Sequence, residues 1–210
     1  GIKSPADLKG HKIGASQPGG SDYVALLAVL NKLGLEPGKD VNIPFVGGIP
    51  QRTAALLSGI IDGTLTAPPE TLTIEGKGFH SLLDVTSLNL PSATSTLTAH
   101  KAWVQANHGT MQKMVDSLME STAREKSDRD LAEQVMGKYL KLEDKAALDA
   151  TYDFFAQKML PNVPDVTVGQ FKDAAEQLGK ANAAIKNVDL ATIVDDSLVQ
   201  DATKRGLGPK

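Results

Sequence analysis

The residues of this 210-residue chain best suited to chemistry sit in turns, each placed between a short apolar run and the start of a helix. One such turn is Ser16-Gln17-Pro18-Gly19-Gly20-Ser21. The first turn of an α-helix leaves backbone N–H groups unpaired, and the helix dipole adds partial positive charge, so an anion is favoured there. Gly19 and Gly20 allow close approach to the backbone, and Ser16 and Ser21 add hydroxyl donors. A second turn, Gly47-Gly48, precedes a helix opened by Pro50 and offers the same chemistry. Thr66 and Ala67, ahead of Pro68, would line the floor of a cleft, with Glu70 nearby. Such a set could hold a sulfonate, carboxylate or other oxyanion without a full positive charge. Arg52 is an alternative counter-charge.

Each of these residues also has a plainer role. Gly19-Gly20 and Gly47-Gly48 are turn residues first. Ser21 is placed as an N-cap ahead of Asp22, which puts negative charge in the first helical turn. Glu70 suits a surface helix position as well as a cleft. His11, His80, His100 and His108 lie far apart, without metal-ligand spacing. Met111, Met114 and Met119 fall on a helical stripe that reads as core, and Trp103 reads as packing or as an aromatic lid.

Bulk properties narrow the function classes. The chain has no cysteine, which excludes disulfides, thiolate nucleophiles and thiolate metal sites. No Ser-His-Asp set or paired carboxylate emerges, so neither an enzyme nor a cofactor is expected. A formal net charge of −3 gives no reason to expect nucleic acid or an anionic membrane as partner. No apolar run reaches the ~20 residues that span a bilayer, and no signal peptide is visible.

Stepping outward to the elements that carry these turns, strands are expected at 12–16, 41–46, 63–67 and 80–85, with Pro44 favouring an edge or an irregularity. A helix after Ser21 would bury Tyr23, Leu26, Leu27, Leu30 and Leu33, and Gly34 would stop it. A second would bury Ala54, Leu57 and Ile61. Strand and helix alternating at short intervals predict an α/β fold with a mostly parallel sheet. Thr94 to Ala99 reads as a last strand, and amphipathic helices follow. Their inward faces are expected to carry Met111, Met114, Val115, Leu118 and Met119, then Leu131, Val135, Met136 and Tyr139 behind a Ser127–Asp130 capping pair, then Leu148, Tyr152 and Phe155.

A family pattern runs through these pieces. Ser4-Pro5-Ala6-Asp7-Leu8-Lys9-Gly10-His11-Lys12-Ile13-Gly14, Val46-Gly47-Gly48, the segment Ala54 to Gly63, Ala67-Pro68-Pro69-Glu70, Glu75-Gly76-Lys77-Gly78-Phe79 and Val194 to Val199 follow in order. Together they resemble the SsuA- and NMT1-like solute-binding proteins of ABC importers, the nitrate, sulfonate, taurine and thiamine-precursor type. The resemblance implies a type II periplasmic binding protein fold of two α/β lobes joined by a hinge. On that pattern, residues 1–92 form the second lobe. Residues 93–210 supply a hinge strand and the helical part of the first lobe, incomplete because a stretch of roughly 80 to 100 residues would precede Gly1. It implies a small polar or anionic solute bound at Ser16, Gly19, Gly20, Ser21, Gly47, Gly48, Thr66, Ala67, Pro68 and Glu70, with Arg52 mid-helix and exposed. It also implies a membrane permease as partner and a periplasmic or otherwise extracytoplasmic location, lipid-anchored forms included. An incomplete lobe would expose apolar surface and favour self-association. Alternatives are an orphan or sensor-type binding module without a transport role, and an enzyme like the thiamine-pyrimidine synthases, whose cysteine-rich iron site this chain cannot build.

Overall fold

The computed structural model describes residues 2–90 and 95–209. In chain order the elements are β1 Ile13–Gly14, α1 Ser21–Lys32, α2 Ile49–Leu57, β2 Gly63–Thr64, α3 Glu70–Glu75, α4 Lys101–Ala106, α5 His108–Ser127, α6 Arg129–Leu140, α7 Lys145–Tyr152, α8 Gly169–Ala181, α9 Ala183–Lys186 and α10 Ser197–Lys204. They fall into two compact units, Gly1–Thr94 with Gly169–Asp189, and Ser95–Val168 with Leu190–Lys210. The expected boundary at residues 92 and 93 lies outside the described residues. No described helix is long and apolar enough to cross a membrane.

The first unit is built on a small parallel sheet. Ile13 of β1 pairs with Gly63 of β2, and Gly14 with Thr64. On the other side of β1 the stretch at 41–46 runs parallel through bridges at Asn42 and Phe45 rather than as a continuous strand. Pro44 explains the interruption: it has no N–H to donate, although its carbonyl accepts from the Ala15 amide at 3.1 Å. The core packs Ile13, Ala15 and Val41 of the sheet region against Leu26 and Leu30 of α1. α8 lies against α1 and completes the unit with α9. Gly34 takes the left-handed conformation (φ 70°) that ends α1, as a C-terminal glycine should.

Several expected features take another form. α2 buries Arg52, Ala55 and Leu56, not Ala54 and Leu57, and Leu57 is 42% exposed. Positions 52, 55 and 56 are the i, i+3, i+4 stripe of a helix starting at Ile49, and an arginine on that stripe hides it from a hydrophobic pattern. Residues 80–85 form no strand. Asp84 instead accepts from the Thr86 amide at 3.0 Å and caps a 3₁₀ turn at Val85–Leu88, satisfying the backbone locally. Of the strand expected at Thr94 to Ala99, Thr94 lies outside the described residues, and 95–99 show no strand pairing.

In the second unit α5 packs on α10. Met111, Val115 and Met119 meet Leu198, Val199 and Ala202. Met114 and Leu118, expected inward, are 44% and 49% exposed, because a straight i, i+4, i+8 row is all that one facing helix covers. α6 is capped by Asp128, which accepts from the Leu131 amide at 3.1 Å, in place of the expected Ser127–Asp130 pair. Ala132, Tyr152 and Ala156 form the core between α6 and α7. Val135 and Tyr139 face outward. After Tyr152 the helix widens to i→i+5 bonding over Asp153–Met159. That register turns Ala156 inward and leaves Phe155 42% exposed. Trp103 is also 44% exposed rather than packed away.

Ion pairs tie these helices together. Buried Glu133 receives Arg129 at 2.6 Å and Lys145 at 2.5 Å, and Arg129 also reaches Asp149 and Asp153, both at 2.8 Å. Arg205, just beyond α10, forks onto Asp116 of α5 at 2.8 and 2.5 Å. That fork, followed by the Gln112 amide, holds the Asp116 carboxyl below its ordinary value near 3.8. A depressed carboxyl contributes stability above its unfolded pKa and loses it as pH falls through the lower folded value. Asp116→Asn is therefore expected to lower the urea midpoint of this unit at pH 7, with the gap to the parent chain closing below about pH 4 as both states protonate. A gap that persists at low pH would assign the effect to packing instead of charge.

Candidate functional site

Parallel strands present their C-terminal ends at one edge, which is where open α/β sheets bind ligands. The loop after β1 (residues 15–20), the loop after the 41–46 stretch and the segment after β2 all leave the sheet of the first unit at that edge. Every residue expected to contact a solute lies on one of these segments or, for Ser21 and Glu70, at the first position of the helix that follows it.

Gly20, not Ser21, is the N-cap of α1, and Ser21 is the first helical residue. The change follows from Asp22. Its carboxylate turns back to accept from the Ser16 amide at 2.7 Å and from the Ser16 hydroxyl. A Cβ on Gly20 would lie 2.5 Å from the Ser16 Oγ and 2.9 Å from Asp22 Oδ1. Gly20 is thus required for lack of a side chain, whereas Gly19 and Gly47 adopt left-handed φ values of 77° and 100°. Gly48 caps α2 in an extended conformation.

Arg52 corrects the expectation of an exposed side chain. Only 7% of its side chain is exposed, and its Nη1 lies 3.0 Å from Asp22 Oδ2. Nη1 also lies 3.3 Å from the Gly47 carbonyl and Nη2 lies 3.5 Å from that of Leu65. One guanidinium therefore spans the ends of all three segments. It does not stand free as a counter-charge, because Asp22 already occupies it.

Open hydrogen-bonding capacity remains around this bolt. Among the described residues nothing accepts from the amides of Ser21, Asp22 and Tyr23 at the start of α1, or of Ile49 and Gln51 at the start of α2. Arg52 Nε, Thr66 Oγ1 and Thr71 Oγ1 are buried without a partner among the described residues. Buried polar groups in folded proteins are almost always satisfied, so such atoms mark where a further polar group belongs. Ala67 accepts from the Thr71 amide at 3.3 Å, Pro68 leads by a cis bond into Pro69, and half-buried Glu70 opens α3. No group of His, Asp and Glu side chains among the described residues is arranged to hold a metal ion.

From sequence Asp22 reads only as negative charge in the first helical turn, Thr71 carries no signal, and Arg52 is set aside as exposed. The signal for Arg52 was its place on the stripe shared with Ala55 and Leu56, since an arginine on a buried stripe needs an acidic partner.

Two substitutions test this construction. Gly20→Val should destabilise the chain by about 1–3 kcal/mol by forcing Ser16 away from Asp22; an unaltered urea midpoint would show that the loop yields freely. Arg52→Met should cost about 3–5 kcal/mol by leaving Asp22 unpaired, and adding Asp22→Asn should recover part of that loss in a double-mutant cycle. Strict additivity would deny the pair any coupling.

Comparison with solved structures places this architecture. The chain is 25% identical to a Bordetella bronchiseptica protein, with a TM-score of 0.67 over 98% of this chain and 67% of that one. It matches the periplasmic sulfonate-binding protein SsuA of Methylobacillus flagellatus at 22% identity, TM-score 0.69, over 97% of this chain and 62% of that one. The aliphatic sulphonate-binding protein SsuA of Escherichia coli gives 24%, 0.67, and coverage of 95% and 67%. The desulfurization enzyme DSZB shares the fold at 15% identity and a TM-score of 0.61, with coverage of 98% and 73%. The chain spans about two thirds of the length of the SsuA structures. The fold is the helix-rich α/β type II periplasmic binding protein fold, with a small parallel sheet. No curated protein matches the chain significantly. The profile of the NMT1-like family matches residues 2–138, and the chain belongs to that family.

Proposed function

We propose that this chain is the solute-binding part of an extracytoplasmic receptor that delivers a small polar or anionic organic solute to an ABC importer. The observation that carries the reading is the row of amides at Ser21, Asp22 and Tyr23 that have no acceptor among the described residues, together with the buried hydroxyl of Thr66, which has no partner among them either. Helix-start amides receive oxyanion oxygens without a full cation, and the hydroxyl fixes their orientation. Family membership and the SsuA likeness agree with a binding role and point to a sulfonate head as the first chemistry to try. Ser16, Gly19 and Gly20 shape the first loop, Gly47 and Gly48 the second, and Thr66, Ala67, Pro68 and Glu70 the third. The partner in this reading is a membrane permease, and the location is outside the cytoplasm.

The enzyme reading has the fold shared with DSZB in its favour. None of the 210 residues is a cysteine, so these residues by themselves supply no thiolate nucleophile.

Thermal-shift screening against sulfonates, nitrate, pyrimidines and aromatic acids tests the proposal. A bound solute at one hundred times its dissociation constant adds about 2.7 kcal/mol of stability, an easily resolved rise in melting temperature. Thr66→Val should abolish most of that rise while leaving the ligand-free melting temperature near the parent value. A flat response across the panel would favour the orphan-module alternative.

A further inference from the structure

The chain beyond α7 winds in one register while its residues are spaced for another. Leu148, Tyr152, Phe155 and Met159 follow at intervals of four, three and four, the spacing that puts side chains on one face of an α-helix. From Asp153 to Met159 the backbone instead bonds i→i+5, a winding that is rare and seldom extends past one turn. The wider turn swings the end of that row away from the seam with α6. Ala156 is fully buried beside Ala132 and Tyr152, whereas Phe155 and Met159 are 42% and 44% exposed. Two large apolar side chains of the stripe are thus left facing water.

The contacts divide into those that fix the start of this segment and those that fix its register. Tyr152 is the pivot. Its ring lies 4.7 Å from the Arg129 guanidinium, and its hydroxyl is 3.2 and 3.3 Å from the Glu125 and Lys126 carbonyls. Asp153 is held by Arg129 at 2.8 Å. These contacts involve no residue beyond 153, so they survive either winding. The register contacts span five residues. Gln157 Nε2 donates to the Tyr152 hydroxyl at 2.7 Å, and the Leu160 amide donates to the Phe155 carbonyl at 2.8 Å. An α-helix turns residues five apart away from each other, so the Gln157 bond belongs to the wider register alone. Against it stands the apolar surface of Phe155 and Met159, which an α register would turn toward the buried stripe. One neutral hydrogen bond and the partial burial of two large apolar side chains are contributions of similar size, so neither register holds a large margin.

We infer that Asp153–Met159 is a two-register segment, a conformational device that pivots at Tyr152. In the i→i+5 register it presents Phe155 and Met159 to solvent. In the α register it withdraws both and releases Gln157. Helix register shifts take microseconds to milliseconds, so the two forms exchange many times before a slow chemical probe reacts, and such a probe reads their populations.

The chain contains no cysteine, so Met159→Cys supplies a unique thiol whose alkylation by iodoacetamide measures how much of the population holds position 159 in solvent. Added to this reporter, Gln157→Ala removes the register bond and should lower the alkylation rate about twofold or more. Phe155→Gln removes apolar gain from the α register and should raise the rate. Both positions are exposed, so both variants should keep the fold, with urea midpoints as the control. Opposite signs are the signature of a switch. General loosening of the segment would speed alkylation in both variants, and one fixed register would leave both at the reporter's own rate. Any pattern other than a fall with Gln157→Ala and a rise with Phe155→Gln overturns the inference.

Discussion

The contact between Asp22 and Arg52 carries the organisation of the strand-end edge of the first unit. A guanidinium has its donors in a rigid planar fork, so a single Arg52 can bond Asp22, Gly47 and Leu65 at once. Those partners belong to the α1 start, the loop before α2 and the segment after β2. Loops at strand ends have few backbone bonds of their own and would otherwise sample many arrangements. The small sheet beneath them, two residues per regular strand, offers little rigidity. Holding the loops together from a buried side chain preorganises the amides of α1 and α2 at modest entropic cost, because a buried guanidinium has already lost its freedom on folding.

The same pair shapes the chemistry. In sequence, a glycine-rich turn before a helix suggests a place for an external anion. In the structure, part of that capacity belongs to Asp22, whose carboxylate takes the Ser16 amide and hydroxyl. The donors left over are the amides one turn further on and the unbonded Nε of Arg52. Under the proposed solute-binding function, recognition falls to oriented dipoles and hydroxyls, which discriminate by geometry more than by net charge.

The second unit is held by different means. Its helices share narrow apolar seams, Met111, Val115 and Met119 against α10, and Ala132, Tyr152 and Ala156 between α6 and α7. Ion networks centred on Glu133 and on Asp116 bind the polar margins of those seams. Met114, Leu118, Val135, Tyr139 and Phe155 remain largely outside them. Each helix in this unit is amphipathic over a wider arc than its facing partner covers, which is why a hydrophobic stripe read alone overstates what is buried.

The sequence by itself determined the alternation of short apolar runs and helices, the parallel α/β class, the turns that end at Gly20 and Gly48, and the family, because period, glycine and cap signals are local and survive without tertiary context. It also implied that the segment following β2 leaves the sheet at the same edge as those turns, since parallel strands oblige it. Only the tertiary structure decided that Arg52 points inward, that Asp22 folds back on Ser16, that the Thr71 hydroxyl is buried, and that residues 80–85 turn rather than pair. Each of those outcomes depends on a partner remote in the chain or on competition between a side chain and the backbone for the same hydrogen bond. A pattern of residue types along one strand of sequence contains neither the partner nor the outcome of that competition.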